Sequence, residues 1–370
     1  GPAPPGHGPF VYSGPVTESP LFAELNATQR EAVAATEGPV LVVAGAGSGK
    51  TRVLTYRIAH LIRDLDVSPY SILAITFTNK AADEMKQRVG RMVGSVVRGM
   101  WVSTFHSACV RILRREAHRL GYRSAFSIYD DLDARRLVEY CVRDLDLDPK
   151  RFPPKQIRAA ISKAKNELVD YESFAASGSG PYHERVSEVY RLYQQRLVEA
   201  SAMDFDDLLM VTVELLGAFP AVLAEYQHRF RYILVDEYQD TNHAQYRLVQ
   251  MLGAAHRNVC VVGDSDQSIY AFRGADIRNI LEFERDYPDA RIVVLDRNYR
   301  STQTILDAAN AVIGNNSGRT PKHLWTDRGP GPKLVRFEGE DEHDEAAFVA
   351  DRVLELQAEG FALDEVAVFY

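Results

Sequence analysis

The sequence predicts a doubly wound α/β protein built around a phosphate-binding loop, and three features carry that prediction. Residues Val40–Val43 form an apolar, β-branched run that leads into the glycine-dense turn Ala44–Gly49 and then a helix opened by Lys50 and Thr51. Four more β-rich runs follow, separated from one another by helical periodicity. Between Arg111 and Met203 the strand signal stops and only helical stretches remain. Strand–helix alternation means a parallel sheet with ligands at the carboxyl ends of its strands. Some 90 residues of helix between two strands of one sheet exceed what a crossover needs, so an all-helical subdomain is inserted there.

Taken in order, residues 1–20 carry six prolines with no periodicity and read as a disordered leader. Asn26 caps a helix containing Gln29, Arg30 and Val33. After the phosphate loop and its helix, which runs through Ile62, strands are expected over Ile72–Phe77, Met100–Phe105, Arg231–Asp236 and Asn258–Gly263. Helices are expected over Leu132–Leu145 and His183–Ala200 within the insertion, broken by the Ser-Gly-rich loop Ala176–Pro181. A second α/β pattern starts at Ala290, with strands Arg291–Leu295, Lys333–Phe337 and Val366–Tyr370 and helices Thr302–Ile313 and Asp344–Glu359. Because the chain stops inside a strand pattern, this second domain is expected to be incomplete. The division is thus 21–113 with 204–288 for the first domain, 114–203 for the insertion, and 289–370 for part of the second.

At 370 residues two or three domains are expected. The hydrophobic fraction of 46 % fits an ordered protein, and no apolar run approaches membrane-spanning length. Cys109, Cys141 and Cys260 are scattered and odd in number, which excludes a disulfide framework and makes a reducing cytoplasm the expected setting. The net charge of −8 misleads. Residues 80–165 hold 19 Lys/Arg against 10 Asp/Glu, a basic face on an acidic body that points to a polyanionic partner.

The glycines of the loop let successive N–H groups turn inward as an anion cradle, reinforced by the helix N-terminus. Ala44 stands where the usual pattern has its first glycine. In a P-loop NTPase of this kind Lys50 reaches the β- and γ-phosphates of a nucleoside triphosphate and the Thr51 hydroxyl holds Mg²⁺. The run Ile233–Asp240 delivers Asp236 as a second Mg²⁺-holding carboxylate and Glu237 as general base for the attacking water. Gln267, just past the fifth strand, is placed to sense the γ-phosphate. Tyr270, Phe272 and Arg273 follow it with rings and a guanidinium suited to stacking on unpaired bases. In Asp296–Thr302, Arg300 is a candidate arginine finger acting across a cleft between the two domains, and Tyr299 a stacking partner for the nucleotide base.

Seven blocks then add a resemblance. They are residues 25–33 (LNATQREAV), 44–51 (AGAGSGKT), 75–85 (ITFTNKAADEM), 101–107 (WVSTFHS), 234–241 (LVDEYQDT), 262–276 (VGDSDQSIYAFRGAD) and 295–302 (LDRNYRST). In order and spacing this set resembles the superfamily 1 DNA helicases of the UvrD/PcrA/Rep type over residues 20–370. The resemblance implies two RecA-like domains with ATP between them, a helical insertion on each, and 3′-to-5′ movement along single-stranded DNA, in repair or replication. It places Gln29 on adenine, Ala46, Gly47, Ser48 and Gly49 around the phosphates, and Arg52 with Tyr299 flanking the nucleotide. Phe77, Asn79, Thr104, Phe105, His106, Tyr270, Phe272 and Arg273 would line the DNA track. Phe272 stands where the family usually has Trp, and the later blocks of the second RecA-like domain are not found. The basic insertion would hold duplex at a single-strand/duplex junction. Two other readings stay open: a nucleotide-gated DNA-binding module without useful turnover, and a P-loop ATPase acting on small molecules or proteins.

Overall fold

In a computed structural model, residues 19–316 and 321–370 are described, with Arg273 described in its backbone alone. The expected leader therefore lies outside the described residues up to position 18, and Pro20 already opens a short 3₁₀ turn, Pro20–Glu24, capped by Ser19. In chain order come α1 (Ala27–Ala34), β1 (Val40–Ala44), α2 (Lys50–Arg63), β2 (Ile72–Thr76), α3 (Asn79–Val93), β3 (Trp101–Thr104) and α4 (Phe105–Glu116). The insertion holds β4 (Ser127–Tyr129), α5 (Asp131–Asp144), α6 (Pro154–Asn166), α7 (Tyr171–Ala176) and α8 (Pro181–Glu199), and β5 (Ala202–Asp204) leaves it. The chain then forms α9 (Phe205–Ala218), α10 (Pro220–Arg229), β6 (Tyr232–Val235), α11 (His243–Gly253), β7 (Val259–Gly263) and β8 (Arg291–Leu295).

Six strands make one parallel sheet in the order β3-β2-β6-β7-β1-β8. Alternation along each strand divides the core even though both faces are covered. Leu41, Val43, Leu73, Ile75, Ile233, Val235, Val259 and Val261 face one layer, where α4, α9, α10 and α11 pack. Val40, Val42, Ala44, Ile72, Ala74, Leu234, Cys260 and Val262 face the other, against α1, α2 and α3. A third core, including Val138, Ile157, Ile161, Val189, Tyr190, Tyr193 and Leu197, belongs to the insertion alone.

Three expectations need correction. The insertion is not free of strands: β4 and β5 pair in parallel, Ser127 with Ala202 through Tyr129 with Asp204, and close its base where the chain enters and leaves. Three-residue strands are too short to show periodicity. Second, Arg291–Leu295 does not open a new sheet. It pairs with β1 from Val40–Arg291 to Ala44–Leu295 as the edge of the first sheet; an apolar run fixes a strand but not which neighbour it joins. Third, Lys333–Phe337 and Val366–Tyr370 form no ladder, and Val335, Val368 and Phe369 are exposed. A strand pattern needs partner strands, and among the described residues these segments have none. The helices flanking them do form, as Gln303–Ile313 and Glu342–Ala358. Among the described residues no single helix is long and apolar enough to cross a membrane.

Candidate nucleotide pocket and strand cleft

The phosphate loop leaves β1 and enters α2 with Gly47 and Gly49 at φ +66° and +95°, backbone that side chains rarely adopt. Space is as tight as conformation: a Cβ on Gly49 would lie 2.8 Å from Gln29 Nε2, and one on Gly47 2.8 Å from the Arg300 Cβ. Gln29 is held by the capping box of α1, donates from Nε2 to the Ser48 carbonyl at 3.0 Å, and is buried. Ser48 Oγ in turn donates to the Gly45 carbonyl at 2.7 Å.

Lys50 Nζ donates to Glu237 Oε2 at 2.8 Å and to Gln267 Oε1 at 3.3 Å. Glu237 sits in the left-handed region at φ +50°, a strained position for a residue with a side chain, and its N–H donates to Asp236 Oδ1. Asp236 is buried at the end of β6, and burial, with Glu237 beside it, pushes its carboxyl up to about 7. Asp240 is raised to about 6 by burial first and then by Glu237. Gln239 joins the acidic residues to the loop after β7: its Nε2 donates to Glu237 and Asp240, and its Oε1 accepts from the Asp264 N–H. Thr51 occupies the first turn of α2.

Arg300 is delivered differently from the expectation. It follows β8 of the same sheet, so it reaches the phosphate loop from the neighbouring strand rather than across a cleft from a second sheet. Asn298 fixes that turn, donating to the Ala46 carbonyl at 2.6 Å and accepting from the N–H groups of Arg300 and Ser301. Tyr299 N donates to the Gly47 carbonyl at 2.9 Å, and its hydroxyl accepts from Asn26. Arg52 lies on the neighbouring rim, paired with Glu24 at 3.0 Å.

Two clefts open beside this pocket at the carboxyl ends of β2 and β3. One of about 1040 Å³ runs between the sheet and the insertion, lined by Phe77, His106, Arg158, Phe205, Tyr270 and Phe272 among others. The other, about 1260 Å³, continues past Phe77, Thr104 and His106 to Asn79, Lys86 and Arg98. Phe77 and Tyr270 stack at 5.1 Å, and Phe272 leans on Tyr270 at 6.0 Å while 78 % exposed. His106 meets Phe205 edge-on, and burial lowers its pKa.

The clefts thus gather Phe77, Asn79, Thr104, Phe105, His106, Tyr270 and Phe272, while the side chain of Arg273 lies outside the described residues. Phe105 is a correction: only 4 % exposed, it belongs to the sheet core and has little face to offer a base. Sequence reasoning missed Phe205, Arg158 and Asn298. Phe205 and Arg158 carry no local pattern. Asn298 lies within residues 295–302, where the tendency of Asn to accept from backbone N–H groups two and three residues on was the available signal.

Comparison with known proteins agrees with this arrangement. The UvrD/REP helicase N-terminal domain matches residues 25–288, and the UvrD-like helicase C-terminal domain matches residues 293–370. The chain is 52 % identical over 351 residues to the ATP-dependent DNA helicase PcrA of Bacillus subtilis (strain 168), covering 95 % of this chain and 48 % of that protein. The protein of the same name from Staphylococcus aureus (strain Mu50) is 51 % identical over 350 residues, with 95 % and 48 % covered. The chain therefore spans about half the length of the curated relatives it matches. A phosphate loop capped by Gln29, acidic residues at the end of β6, and a family match over most of its length make this chain a member of the UvrD/REP helicase family.

Proposed function

We propose that this chain is the nucleotide-binding and strand-gripping part of an ATP-dependent DNA helicase that moves 3′ to 5′ along single-stranded DNA in repair or replication. The observation that carries the reading is one loop. Between Asp264 and Asp276, Gln267 touches Lys50 in the nucleotide pocket, and three residues later Tyr270 stacks on Phe77 in the cleft. A shift of that loop on hydrolysis would be felt by both ligands.

In this reading ATP displaces Glu237 from Lys50, whose ammonium moves to the phosphates cradled by Ala46–Gly49. Freed, Glu237 accepts a proton from water as that water attacks the γ-phosphorus and the bond to the β-phosphate oxygen breaks. Gln267 senses the γ-phosphate, and Arg300 balances charge on the transferring phosphoryl group. Gln29 reads adenine, with Arg52 and Tyr299 flanking the nucleotide. Thr51 and Asp236 would hold Mg²⁺: both offer hard oxygen donors, and the buried Asp236 carboxylate is a charge that a divalent cation would offset. The ion would supply charge neutralisation on the phosphates.

Single-stranded DNA would lie on Phe77, Tyr270 and Phe272, with Asn79, Thr104, His106 and Arg273 along its backbone. Basic residues of the insertion would steady duplex at a junction. The domains follow 21–113 with 204–288, 114–203 and 289–370, except that Arg291–Leu295 belongs to the first sheet. A cytoplasmic setting suits three buried free thiols.

The test is ATP hydrolysis by this chain and by Glu237→Gln, with and without poly-dT. Stimulation by poly-dT in the unaltered chain, and a fall of about 10²- to 10⁴-fold in the variant with ATP binding kept, is the expected result. Retained DNA and nucleotide binding with no turnover would instead make it a nucleotide-gated binding module.

A further inference from the structure

Beyond helix Gln303–Ile313 the chain returns to the phosphate loop as a strap, Lys322–Thr326. Trp325 exchanges backbone hydrogen bonds with the turn after β8, accepting from Asn298 N at 2.7 Å and donating to the Asp296 carbonyl at 3.2 Å. The Asn310 side chain brackets Leu324, donating to its carbonyl and accepting from its N–H. Leu324 fills the space above Gly45, where a Cβ would come within 2.2 Å of its Cδ2. At the start of the strap the Lys322 side chain is 3 % exposed and ends on two carboxylates, Asp264 Oδ1 at 2.5 Å and Asp266.

Asp264 links the lysine to the chemistry. Itself 2 % exposed, it accepts from Gln267 Nε2 through Oδ2 and from Asp266 N through Oδ1, and its own N–H donates to Gln239. The glutamine amide has a donor end and an acceptor end, and beside Lys50 only the acceptor end is useful. A carboxylate can only accept, so Asp264 draws Nε2 toward itself and leaves Oε1 facing the ammonium. A carboxylate this deep needs a cation, since a charge buried alone is costly. Lys322 supplies it from a segment remote in sequence from both loops.

We propose that Lys322 is a positioning residue for nucleotide hydrolysis: by holding Asp264 in place, it fixes the Gln267 amide with its oxygen toward Lys50. The inference rests on the hydrolytic reading above. It ties that pocket to the seating of the strap, so a displaced strap would leave nucleotide bound but Gln267 misdirected.

The experiment compares two ligands on the full chain, each with Mg²⁺: a non-hydrolysable ATP analogue, and ADP with aluminium fluoride as mimic of the transferring phosphoryl group. In Lys322→Met the analogue should bind within about 3-fold of the unaltered chain, whereas the mimic should weaken roughly 10- to 100-fold. Gln267→Ala should show the same selective loss. The double variant Asp264→Asn with Lys322→Met should recover most of it, because an asparagine oxygen still accepts from Gln267 and the more deeply buried of the two carboxylates on Lys322 is gone. Equal weakening of both ligands, no change in either, no recovery in the double variant, or failure of both variants to fold would overturn the proposal. If the unaltered chain bound neither ligand, the nucleotide reading itself would fall.

Discussion

Lys50 and Lys165 are both withdrawn from water and both stand on carboxylates, yet their surroundings differ in how firmly each pair is held. Lys165, at the end of α6, is fully buried, and its Nζ meets Asp204 and Asp207 at 2.8 Å each. Tyr193 donates to Asp204 at 2.7 Å, and Asp204 and Asp207 close the capping box that starts α9. Every partner comes from secondary structure that would have to break to release it. Burial alone would push Lys165 down, but the two aspartates hold its pKa well above the ordinary lysine value. Lys50 is 11 % exposed, its carboxylate partner Glu237 is 35 % exposed on strained backbone, and Gln267 ends a single 3₁₀ turn, Ser265–Gln267. Such a pair suits the ligand exchange proposed for Lys50; the other suits a structural joint.

That contrast can be broken most severely at Lys50. Lys50→Met should cut ATP hydrolysis by about 100-fold or more. It should lower stability by about 1 kcal/mol or less, since its half-open partner can turn to water. Hydrolysis assays beside thermal unfolding read both. Lys165→Met should do the reverse, costing roughly 3–5 kcal/mol by leaving two carboxylates uncompensated at the base of the insertion. Denaturant unfolding would show it, while nucleotide affinity at low temperature stays close to that of the unaltered chain.

Phe272→Ala tests the cleft side with a smaller effect. One exposed ring is worth about 1–3 kcal/mol per stacked base, so dT binding should weaken about 10-fold with unchanged salt slope. Phe272→Trp should restore and slightly exceed the original affinity.

The smallest effect concerns pH. Burial, then Asp204, raises the Asp207 carboxyl to about 7, above its value in the unfolded chain. Its protonated form therefore favours the fold below the unfolded value, and that contribution is lost as pH rises through about 7. Between pH 6 and 8 the loss should be on the order of 1 kcal/mol. Asp207→Asn should flatten that part of the stability profile, measured by urea unfolding across the range. Asp204, lowered by Lys165 despite its burial, acts in the opposite sense and only at acid pH.

How far the molecule could be read from its residues follows the same division. The runs at 40–44, 72–76, 232–235 and 259–263 are continuous and β-branched, and each became a central strand. Lys50, Glu237 and Gln267, each expected at a fixed spacing from a strand end, are brought together. Beyond local reach the reading failed. Nothing in Arg291–Leu295 says that it pairs with β1, nothing in Ser127–Tyr129 marks a strand, and Phe105 gives no sign that its ring turns into the core. Lys322 belongs to no motif and meets Asp264 across 58 residues, a contact that tertiary packing alone creates.

The central claim is that the pocket at Lys50 and the cleft at Phe77 act as one device through the loop that joins Gln267 to Tyr270. Equilibrium binding of a fluorescent dT oligonucleotide, with and without a saturating non-hydrolysable ATP analogue and Mg²⁺, tests it most directly. Nucleotide should change dT affinity by about 5-fold or more, and dT should change nucleotide affinity by the same factor. Two ligands that bind with unchanged affinities in each other's presence would contradict it.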